Sequence, residues 1–346
     1  MVKPHVRPQE KGLLEMMKIR KSCRLLLALV TVLVTAAGCA SPAGSPRLET
    51  LTVGLPALEQ SALIYLATDQ GLFAQQGLNV VVQDYATGPA ALDALLAGKV
   101  DLAGTAEYPV VRGLLAGEPL GVVATSDKFE NDYLVARPDR GITTPAGLRG
   151  KRVGLMRGAI VEFYLARLLE LQGIPAEDVT VVDLKVDRLV PALAAGEVDA
   201  IATWQPYVGQ AQAAVSGAAV LPVQSDQPAF GLLVARRPWL EEHGGRLTRF
   251  LKALHLAEEL AIGHPEEAQA VVRRRLGYDA GYVAGVWPQH QFGLSLDQPL
   301  VIAMKDEAQW MIRNGLTPAA SLPDFSAYID AAALEAVKPG SVTLVR

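Results

Sequence analysis

The sequence predicts an α/β protein of two similar lobes, and three observations support this fold class. Strand and helix patterns alternate regularly from residue 48 to about residue 235, which is typical of βαβ units with right-handed crossovers. The segment AGKVDLAGTAEYP at 97–109 is echoed 98 positions later by AGEVDAIATWQPY at 195–207. Two similar apolar segments, YLVAR at 133–137 and GLLVAR at 231–236, bracket the second half of the pattern.

The first half of this pattern predicts four strands separated by three helices. Strands are expected at 48–55, 78–85, 100–105 and 120–126, and helices at 61–70, 89–97 and 107–116. Gly71 and Gly98 mark two of the helix ends, because glycine readily adopts the left-handed conformation that closes a helix. Each strand–turn–helix unit places the residues after the strand at the mouth of a lobe, where α/β proteins bind their ligands.

The second half is expected to repeat this unit, and the C-terminal part to differ from it. A short helix is expected at 144–148, strands at 152–155, 179–184, 199–203 and 219–223, and helices at 160–172 and 188–195. After Pro238 the pattern is almost wholly helical, without strands of its own. We therefore expect lobe 1 to comprise 48–136 plus 236–346 and lobe 2 to comprise 137–235, with hinge crossings near 133–138 and 231–237.

The N-terminal segment has the layout of an export signal. Basic residues at 18–24 precede an apolar run at 25–34 and small residues at 36–38. The run is shorter than the roughly 20 residues of a membrane-spanning helix. Met17 would begin a signal of ordinary length, so 1–16 are interpreted as following a start codon assigned too early. The box AAGC at 36–39 resembles that of bacterial lipoproteins, which implies cleavage after residue 38, a lipid on Cys39 and a tether at 39–47. A freely secreted protein is the alternative.

Composition and charge narrow the class of protein further. Of 346 residues, 50% are hydrophobic, enough to bury a large core. Removing 1–38 takes seven Lys and Arg and two Asp and Glu from totals of 32 and 36, which leaves a net charge of about −9. An acidic chain without a Lys/Arg cluster argues against nucleic-acid binding. Cys23 lies in the signal, so no disulfide is expected.

Several segments together resemble one family of transport proteins. They are GLFAQQGLNVVV at 71–82, TGPAALDALLAGKVDLAGT at 87–105, LRGKRVGL at 148–155 and the echo at 195–207. In combination, over essentially all of 48–338, they are similar to the solute-binding proteins of ABC importers for nitrate, sulfonates, taurine and thiamine precursors. The resemblance implies a type II periplasmic-binding-protein fold, an α/β fold with a ligand cleft between two lobes. It also implies an exported monomer that needs no cofactor and delivers a small solute to an ABC permease and its ATPase.

The cleft positions of this family are expected in segments at the lobe mouths. In this chain they are Glu59, Gln60, Thr87, Gly88, Thr105, Glu107, Ser126, Asp127, Arg157, Gly158, Ala159, Glu162, Trp204, Gln205 and Tyr207. Residues 157–162 are expected to be the counterpart in lobe 2 of Thr87-Gly88. Simpler roles remain open for several of these residues: helix capping for Thr87, stabilisation of a helix dipole for Glu107 and Glu162, and packing between the lobes for Trp204.

The charges at these positions suggest a ligand that is not a simple oxyanion. Sulfonate-binding members tend to have Ser and Thr after the glycine at position 158, whereas this chain has Ala159 and Ile160, with carboxylates at Glu107 and Glu162. We hypothesise a neutral or amine-bearing ligand, similar to a thiamine precursor and held by Trp204 and the glutamates. Arg157 is the counter-argument, because arginine can bind a carboxylate or sulfonate through two hydrogen bonds.

Two other classes of function remain open. An enzyme is one, since synthases of thiamine precursors share this architecture; however, all four histidines after residue 38 are expected in the helical C-terminal part, and no catalytic or metal-binding motif is found. We therefore expect no catalytic residues, no metal and no turnover. A ligand sensor that acts through a separate partner protein is the other class.

Overall fold

The computed structural model describes residues 48–224 and 227–345, which form two β-sheets flanked by helices. The strands are β1 (Glu49–Pro56), β2 (Leu78–Tyr85), β3 (Leu102–Ala106), β4 (Leu120–Phe129), β5 (Asp132–Ala136), β6 (Arg152–Leu155), β7 (Thr180–Asp183), β8 (Ala200–Trp204), β9 (Ala219–Pro222), β10 (Ala229–Arg236), β11 (His290–Asp297) and β12 (Val342–Thr343). The α-helices are α1 (Ala62–Asp69), α2 (Leu72–Gln75), α3 (Gly88–Leu96), α4 (Glu107–Leu115), α5 (Ile160–Leu171), α6 (Val186–Ala195), α7 (Tyr207–Ala214), α8 (Arg237–Gly263), α9 (Pro265–Leu276), α10 (Ala280–Val286), α11 (Gln298–Arg313) and α12 (Ala332–Val337). The predicted signal, Cys39 and the tether lie outside the described residues.

The two sheets repeat one arrangement of strands. The seven-stranded sheet has the order β12-β11-β4-β10-β3-β1-β2, and the five-stranded sheet has the order β9-β5-β8-β6-β7. In the shared part, β3-β1-β2 and β8-β6-β7 are parallel, and β10 or β5 lies antiparallel at the same side. The echo at 97–109 and 195–207 therefore corresponds to two equivalent βαβ units, and the predicted two-lobe α/β fold is confirmed.

The aspartate shared by the two copies fixes the start of each echoed strand. The Asp101 carboxylate accepts hydrogen bonds from the main-chain nitrogen and the hydroxyl of Thr52, at 2.8 and 2.7 Å. In the other sheet, the Asp199 carboxylate accepts one from the main-chain nitrogen of Arg152 at 2.8 Å. Each aspartate thus ties an echoed strand to its parallel neighbour, at the end of the strand opposite to the ligand side.

The expectation that the C-terminal part has no strands is wrong. β11 pairs antiparallel with β4, and the short β12 pairs with β11. Leu294 and Leu296 are buried on one side of β11, and with Phe292 they repeat every second residue, which is the pattern of a strand rather than a helix. The neighbouring helices obscure this short signal. The segment expected as a helix at 144–148 is a single 3₁₀ turn, Pro145–Leu148.

The crossing strands pair with the sheet that they enter. β5 pairs with β8 in the five-stranded sheet, and β10 pairs with β3 in the seven-stranded sheet. The chain therefore changes sheets before Asp132 and before Ala229, whereas the expected lobe boundaries after residues 136 and 235 assign these two strands to the opposite lobes. Strand order also corrects the counterpart of Thr87-Gly88. Residues 157–162 follow β6, the equivalent of β1, so they correspond to the turn after β1.

Helices cover both sheets and complete the core. The long helix α8 packs against α1 and α12, and Phe250 stacks on Phe73 with ring centroids 5.2 Å apart. Helix α11 packs on α4, beside the end of the seven-stranded sheet that carries the polar turns. Within 48–224 and 227–345, no helix combines the length and the apolar character needed to cross a membrane.

Candidate functional site

A pocket lies between the turns that follow the strands of the two sheets. Its empty volume is about 440 Å³, including its opening to solvent. The residues that line it are Leu58, Gln60, Gly88, Pro89, Ala106, Pro109, Phe129, Asn131, Asp132, Ala159, Ile160 and Trp204. They come from the turns after β1, β2, β3, β6 and β8 and from the connection between β4 and β5. The pocket therefore occupies the position expected for a ligand of an α/β fold, beyond the carboxyl ends of its parallel strands.

Close packing of α3 against β3 forms one wall of this pocket. Thr87 caps α3, its hydroxyl accepting a hydrogen bond from the main-chain nitrogen of Ala90 at 3.3 Å. Gly88 then passes so near to β3 that a Cβ atom there would lie 2.6 Å from the hydroxyl of Thr105. Thr87 thus has the capping role left open by the sequence, while Gly88 lines the pocket and Thr105 lies buried behind it.

Three side chains present unpaired polar atoms in this pocket. Both carboxylate oxygens of Asp132, the amide oxygen of Asn131 and the indole nitrogen of Trp204 make no hydrogen bond with another described residue. The three residues are 2%, 6% and 8% exposed, respectively. Because buried polar atoms are normally hydrogen-bonded, unpaired atoms that line a pocket indicate ligand contacts. The Asn131 amide oxygen accepts hydrogen bonds, the Asp132 carboxyl accepts them and can also donate one when it is protonated, and the Trp204 nitrogen donates one.

Acidic residues also lie behind the pocket. Glu107 begins α4 and is fully buried, and its carboxylate accepts a hydrogen bond from the main-chain nitrogen of Phe230 at 2.9 Å. The pKa of Glu107 is raised to about 8, because burial, with a smaller contribution from Asp132, outweighs the lowering effect of main-chain hydrogen bonds. Burial likewise raises the pKa of Asp132 to about 8. The pKa of the buried Glu307 on α11 is also raised, by burial and then by Glu107.

A second buried polar group interacts electrostatically with Glu59, in the turn after β1. The imidazole Nδ1 of His290 lies 2.6 Å from a carboxylate oxygen of Asp127, and both side chains are fully buried. Burial lowers the pKa of His290, but Asp127 and then Glu59 outweigh this effect, so that its pKa is raised. Ser126 donates a hydrogen bond to the carbonyl of Gly231. None of these four side chains lines the pocket, and His290 lies in β11 rather than in a helix as expected.

Arg157, Gly158 and Glu162 form a closed group away from the pocket. The Glu162 carboxylate accepts hydrogen bonds from the Arg157 guanidinium at 2.6 Å, the Gly158 main-chain nitrogen at 2.8 Å and the Tyr108 hydroxyl at 3.2 Å. Arg157 and Glu162 line a separate groove together with Trp310. The structure therefore does not bring Arg157, the expected anion-binding residue, to the pocket, because Glu162 holds its charged group.

Of the four remaining expected residues, two line the pocket with Trp204 and two do not. Ala159 and Gln60 line the pocket. Tyr207 packs edge-on against Trp204 with ring centroids 5.8 Å apart, and Gln205 accepts a hydrogen bond from the main-chain nitrogen of Gly209 at 3.4 Å, but neither lines the pocket. The expected ligand-binding residues do not include Asn131 and Asp132, although the sequence indicates an acidic segment at 127–132. An acid at the first position of the otherwise apolar strand β5 is a signal that could have indicated them.

The charge of the pocket follows from this inventory. No Lys, Arg or His is among the described residues that line it. No group of three or more His, Cys, Asp or Glu in the described ranges has an arrangement that could hold a metal ion. The pocket offers an aromatic wall, two buried acceptor groups and one donor. It is therefore suited to a small ligand that carries hydrogen-bond donors.

Comparison with known proteins agrees with this fold. The alkanesulfonate-binding protein SsuA from Xanthomonas axonopodis pv. citri, solved with bound MOPS, superposes with a TM-score of 0.71 at 21% identity, over 82% of this chain and 98% of that one. The desulfurization enzyme DSZB superposes with a TM-score of 0.64 at 17% identity, over 84% of this chain and 98% of that one. A protein of Bacillus subtilis (strain 168) named for aliphatic sulfonate binding is 27% identical over 253 residues, 70% of this chain and 75% of its own length.

These likenesses establish first the fold class and then the family. The chain has the two-lobed α/β fold of periplasmic solute-binding proteins, with a pocket between the turns of two repeated sheets. A family model described as NMT1/THI5 like matches residues 59–268, more than half of the chain. The chain belongs to the NMT1/THI5-like family.

Proposed function

We propose that this chain is the solute-binding component of an ABC importer, which captures a small organic solute between its lobes and delivers it to a membrane permease. The observation that carries the proposal is the pocket lined by both sheets, with unpaired polar atoms on Asp132, Asn131 and Trp204. The aliphatic-sulfonate name of the Bacillus subtilis relative and the bound MOPS of the Xanthomonas protein support a solute-binding role.

We further propose that the protein is exported and held at the cell envelope by a lipid on Cys39, in the periplasm or on the outer face of the cytoplasmic membrane. The support is the signal layout at 18–38 and the polar tether that follows it. Labelling of expressing cells with a radioactive fatty acid tests the anchor. We expect the label in wild-type protein and its loss in Cys39→Ala, with Cys23→Ala as the matched control that keeps the label.

The ligand in this proposal is neutral or amine-bearing, with the size of a thiamine precursor, rather than a sulfonate. A sulfonate would place a negative charge beside the buried Asp132 carboxyl, without a cationic side chain on the described pocket wall to offset it. Burying an unpaired charge is costly. Arg157 does not counter this argument, because its guanidinium is bound to Glu162.

Titration calorimetry tests both the binding role and the ligand class. The panel contains taurine, alkanesulfonates and nitrate on one side and pyrimidines and polyamines on the other. We expect micromolar or tighter binding by a member of the second group. Tight binding of taurine or nitrate would reject the ligand class and leave the binding role standing, whereas mass spectrometry that finds no solute after native purification, with no binding in the panel, would count against the role itself.

The DSZB likeness supports a second candidate, an enzyme of the same fold. At 17% identity it shows only that this architecture can carry catalysis. We propose that the present chain binds without turnover, since the buried His290–Asp127 pair does not line the pocket. Conversion of the bound solute by purified protein, followed by mass spectrometry, would overturn this part of the proposal.

A further inference from the structure

We infer that Asp132 and Asn131 form a subsite for a protonated amino group of the ligand. The inference rests on the proposed solute-binding function and deepens it. Asp132 is 98% buried, as it is 2% exposed, and neither of its carboxylate oxygens has a partner among the described residues. Asn131 adds a second unpaired acceptor, its amide oxygen, to the same pocket wall. An ammonium group has three donors and no acceptor, and so matches these acceptors.

The main chain around this subsite is held from outside the pocket. The Gln224 side chain accepts a hydrogen bond from the main-chain nitrogen of Asp132 at 3.0 Å, and its amide nitrogen donates to the carbonyl of Phe129 at 3.1 Å. Both bonds engage main-chain atoms only. The connection between β4 and β5 is thereby fixed, while neither carboxylate oxygen of Asp132 has a partner among the described residues. A preorganised acceptor of this kind lowers the cost of ordering on binding.

Trp204, the cross-strand partner of Asp132 in the pairing of β5 with β8, gives an independent indication of a ligand at the same place. Its side chain lines the pocket and is 92% buried, as it is 8% exposed, and its indole nitrogen has no partner among the described residues. The ring offers an apolar face, and the nitrogen offers one donor. The ligand that fits these neighbouring groups has an ammonium group next to a planar part that carries a hydrogen-bond acceptor.

The surroundings of Asp132 explain why a cation is favoured there. The titratable groups near it are Glu107 on α4, Tyr164 on α5, and Glu130 and Tyr133 beside it in the chain; Glu307 on α11 and its neighbour Asp306 add further acidity next to Glu107. Each of these groups is neutral when protonated and negative when deprotonated, so none of them supplies a positive charge. Because burial raises the pKa of Asp132 to about 8, its carboxyl is protonated at neutral pH until a cation binds.

Binding of the cation would exchange this proton. The ammonium nitrogen keeps its own protons, the Asp132 carboxylic acid loses its O–H proton to solvent, and an ion pair between the ammonium and the carboxylate takes its place. No bond to carbon forms or breaks, and no oxidant or co-reactant is needed. One proton is released for each ligand bound near neutral pH, which follows from linkage between protonation and binding.

Three monosubstituted benzenes of similar size test the subsite: benzylamine, benzyl alcohol and benzenesulfonate. We expect benzylamine to bind about ten- to a hundredfold more tightly than benzyl alcohol, the range of a hydrogen bond to a charged group, and benzenesulfonate to bind most weakly. In Asp132→Asn the preference for benzylamine should fall at least about tenfold, with benzyl alcohol unchanged within about twofold. Asp199→Asn is the matched control, because its carboxylate lies at the far end of β8 and is bonded to Arg152.

Calorimetry in two buffers of different ionisation enthalpy measures the proton exchange. We expect about one proton released per benzylamine bound by wild type at pH 7 and none by Asp132→Asn. Equal affinity for the amine and the alcohol, tighter sulfonate binding, or an unchanged amine preference in Asp132→Asn would overturn the subsite while leaving solute binding intact. The subsite would also be overturned if none of the three probes binds at 10 mM, a concentration of roughly ten times a millimolar Kd. If the pyrimidines and polyamines also fail to bind, the proposed solute-binding function is overturned as well.

Discussion

Substitution of Gly88 by alanine tests the packing that forms the pocket wall. The new methyl carbon would lie 2.6 Å from the Thr105 hydroxyl oxygen, 3.1 Å from the Thr105 Cα and 3.2 Å from the Thr105 Cβ. The atom at 3.1 Å belongs to the main chain of β3, so side-chain rotation alone cannot relieve the crowding. Overpacking of this kind costs about 1–3 kcal/mol, and the lower entropy of the unfolded alanine chain returns about 0.4–1 kcal/mol. We expect Gly88→Ala to lower the free energy of unfolding by about 1–2 kcal/mol.

Urea unfolding measures this loss, and a double-mutant cycle assigns its cause. Thr105→Ala removes the hydroxyl but leaves the two carbon atoms at 3.1 and 3.2 Å. In the Thr105→Ala background the cost of Gly88→Ala should therefore fall by about 1 kcal/mol, a coupling typical of residues that touch. Gly209→Ala on α7 is the control, because the nearest atom to its new methyl carbon is 3.8 Å away; it should be neutral or stabilising by up to about 1 kcal/mol.

Two results would refute the reasoning. If Gly88→Ala unfolds at the same urea concentration as wild type with an unchanged slope, the approach of α3 to β3 is looser than these distances indicate. If the two substitutions add without coupling, the cost arises elsewhere than at Thr105. Gly88 also lines the pocket, so ligand affinity should fall together with stability; unchanged affinity in a destabilised variant would mean that the start of α3 does not touch the ligand.

Three further predictions follow from hydrogen bonds and buried charge. The pKa values of Glu107 and Asp132 are about 8 in the folded state and near 4 in the unfolded state, so the folded state holds protons that the unfolded state releases. The free energy of unfolding should therefore fall by a few kcal/mol, at most about 1.4 kcal/mol per pKa unit for each group, as the pH rises from about 4 to 8. The double variant Glu107→Gln with Asp132→Asn should flatten this pH profile in urea titrations. Tyr108→Phe removes the hydrogen bond from α4 of lobe 1 to Glu162 on α5 of lobe 2, and should weaken ligand binding about fivefold by calorimetry. Unchanged affinity would show that this bond does not help to hold the two lobes around the ligand. Asp101→Ala loses two bonds to β1 and should cost about 2–3 kcal/mol in urea unfolding, and a loss below 0.5 kcal/mol, roughly the size of an ordinary surface substitution, would contradict this account.

The parts of the fold that could be predicted are those with a long, regular signal. Alternation of strand and helix predicted the βαβ units, and the echo at 97–109 and 195–207 predicted their duplication. Strand β11 was missed because its eight residues lie between helices. The sheets to which β5 and β10 belong were predicted wrongly for another reason. A crossing strand has the same apolar pattern in either sheet, and only its pairing partner shows which sheet it joins.

Prediction of the site succeeded for main-chain position and failed for side-chain partners. Gln60, Gly88, Ala159 and Trp204 line the pocket because each lies at or just after the end of a parallel strand. Arg157 and Glu162 satisfy the same positional rule, yet they bind one another. Which partner a charged side chain finds depends on contacts between segments distant in sequence, and the sequence pattern does not contain that information.

The residues that differ between the two copies of the echo determine the shape and charge of the pocket. Ala106 and Trp204 occupy equivalent positions at the ends of β3 and β8, and both line the pocket. A tryptophan at both positions would fill the space between the sheets, whereas alanine opposite tryptophan leaves room for a solute beside one aromatic wall. At the next position, Glu107 is buried and acidic, while Gln205 bonds to its own helix. The repeat thus supplies two equivalent supports, and the difference at positions 106 and 204 gives the pocket one aromatic side chain, beside its cross-strand partner Asp132.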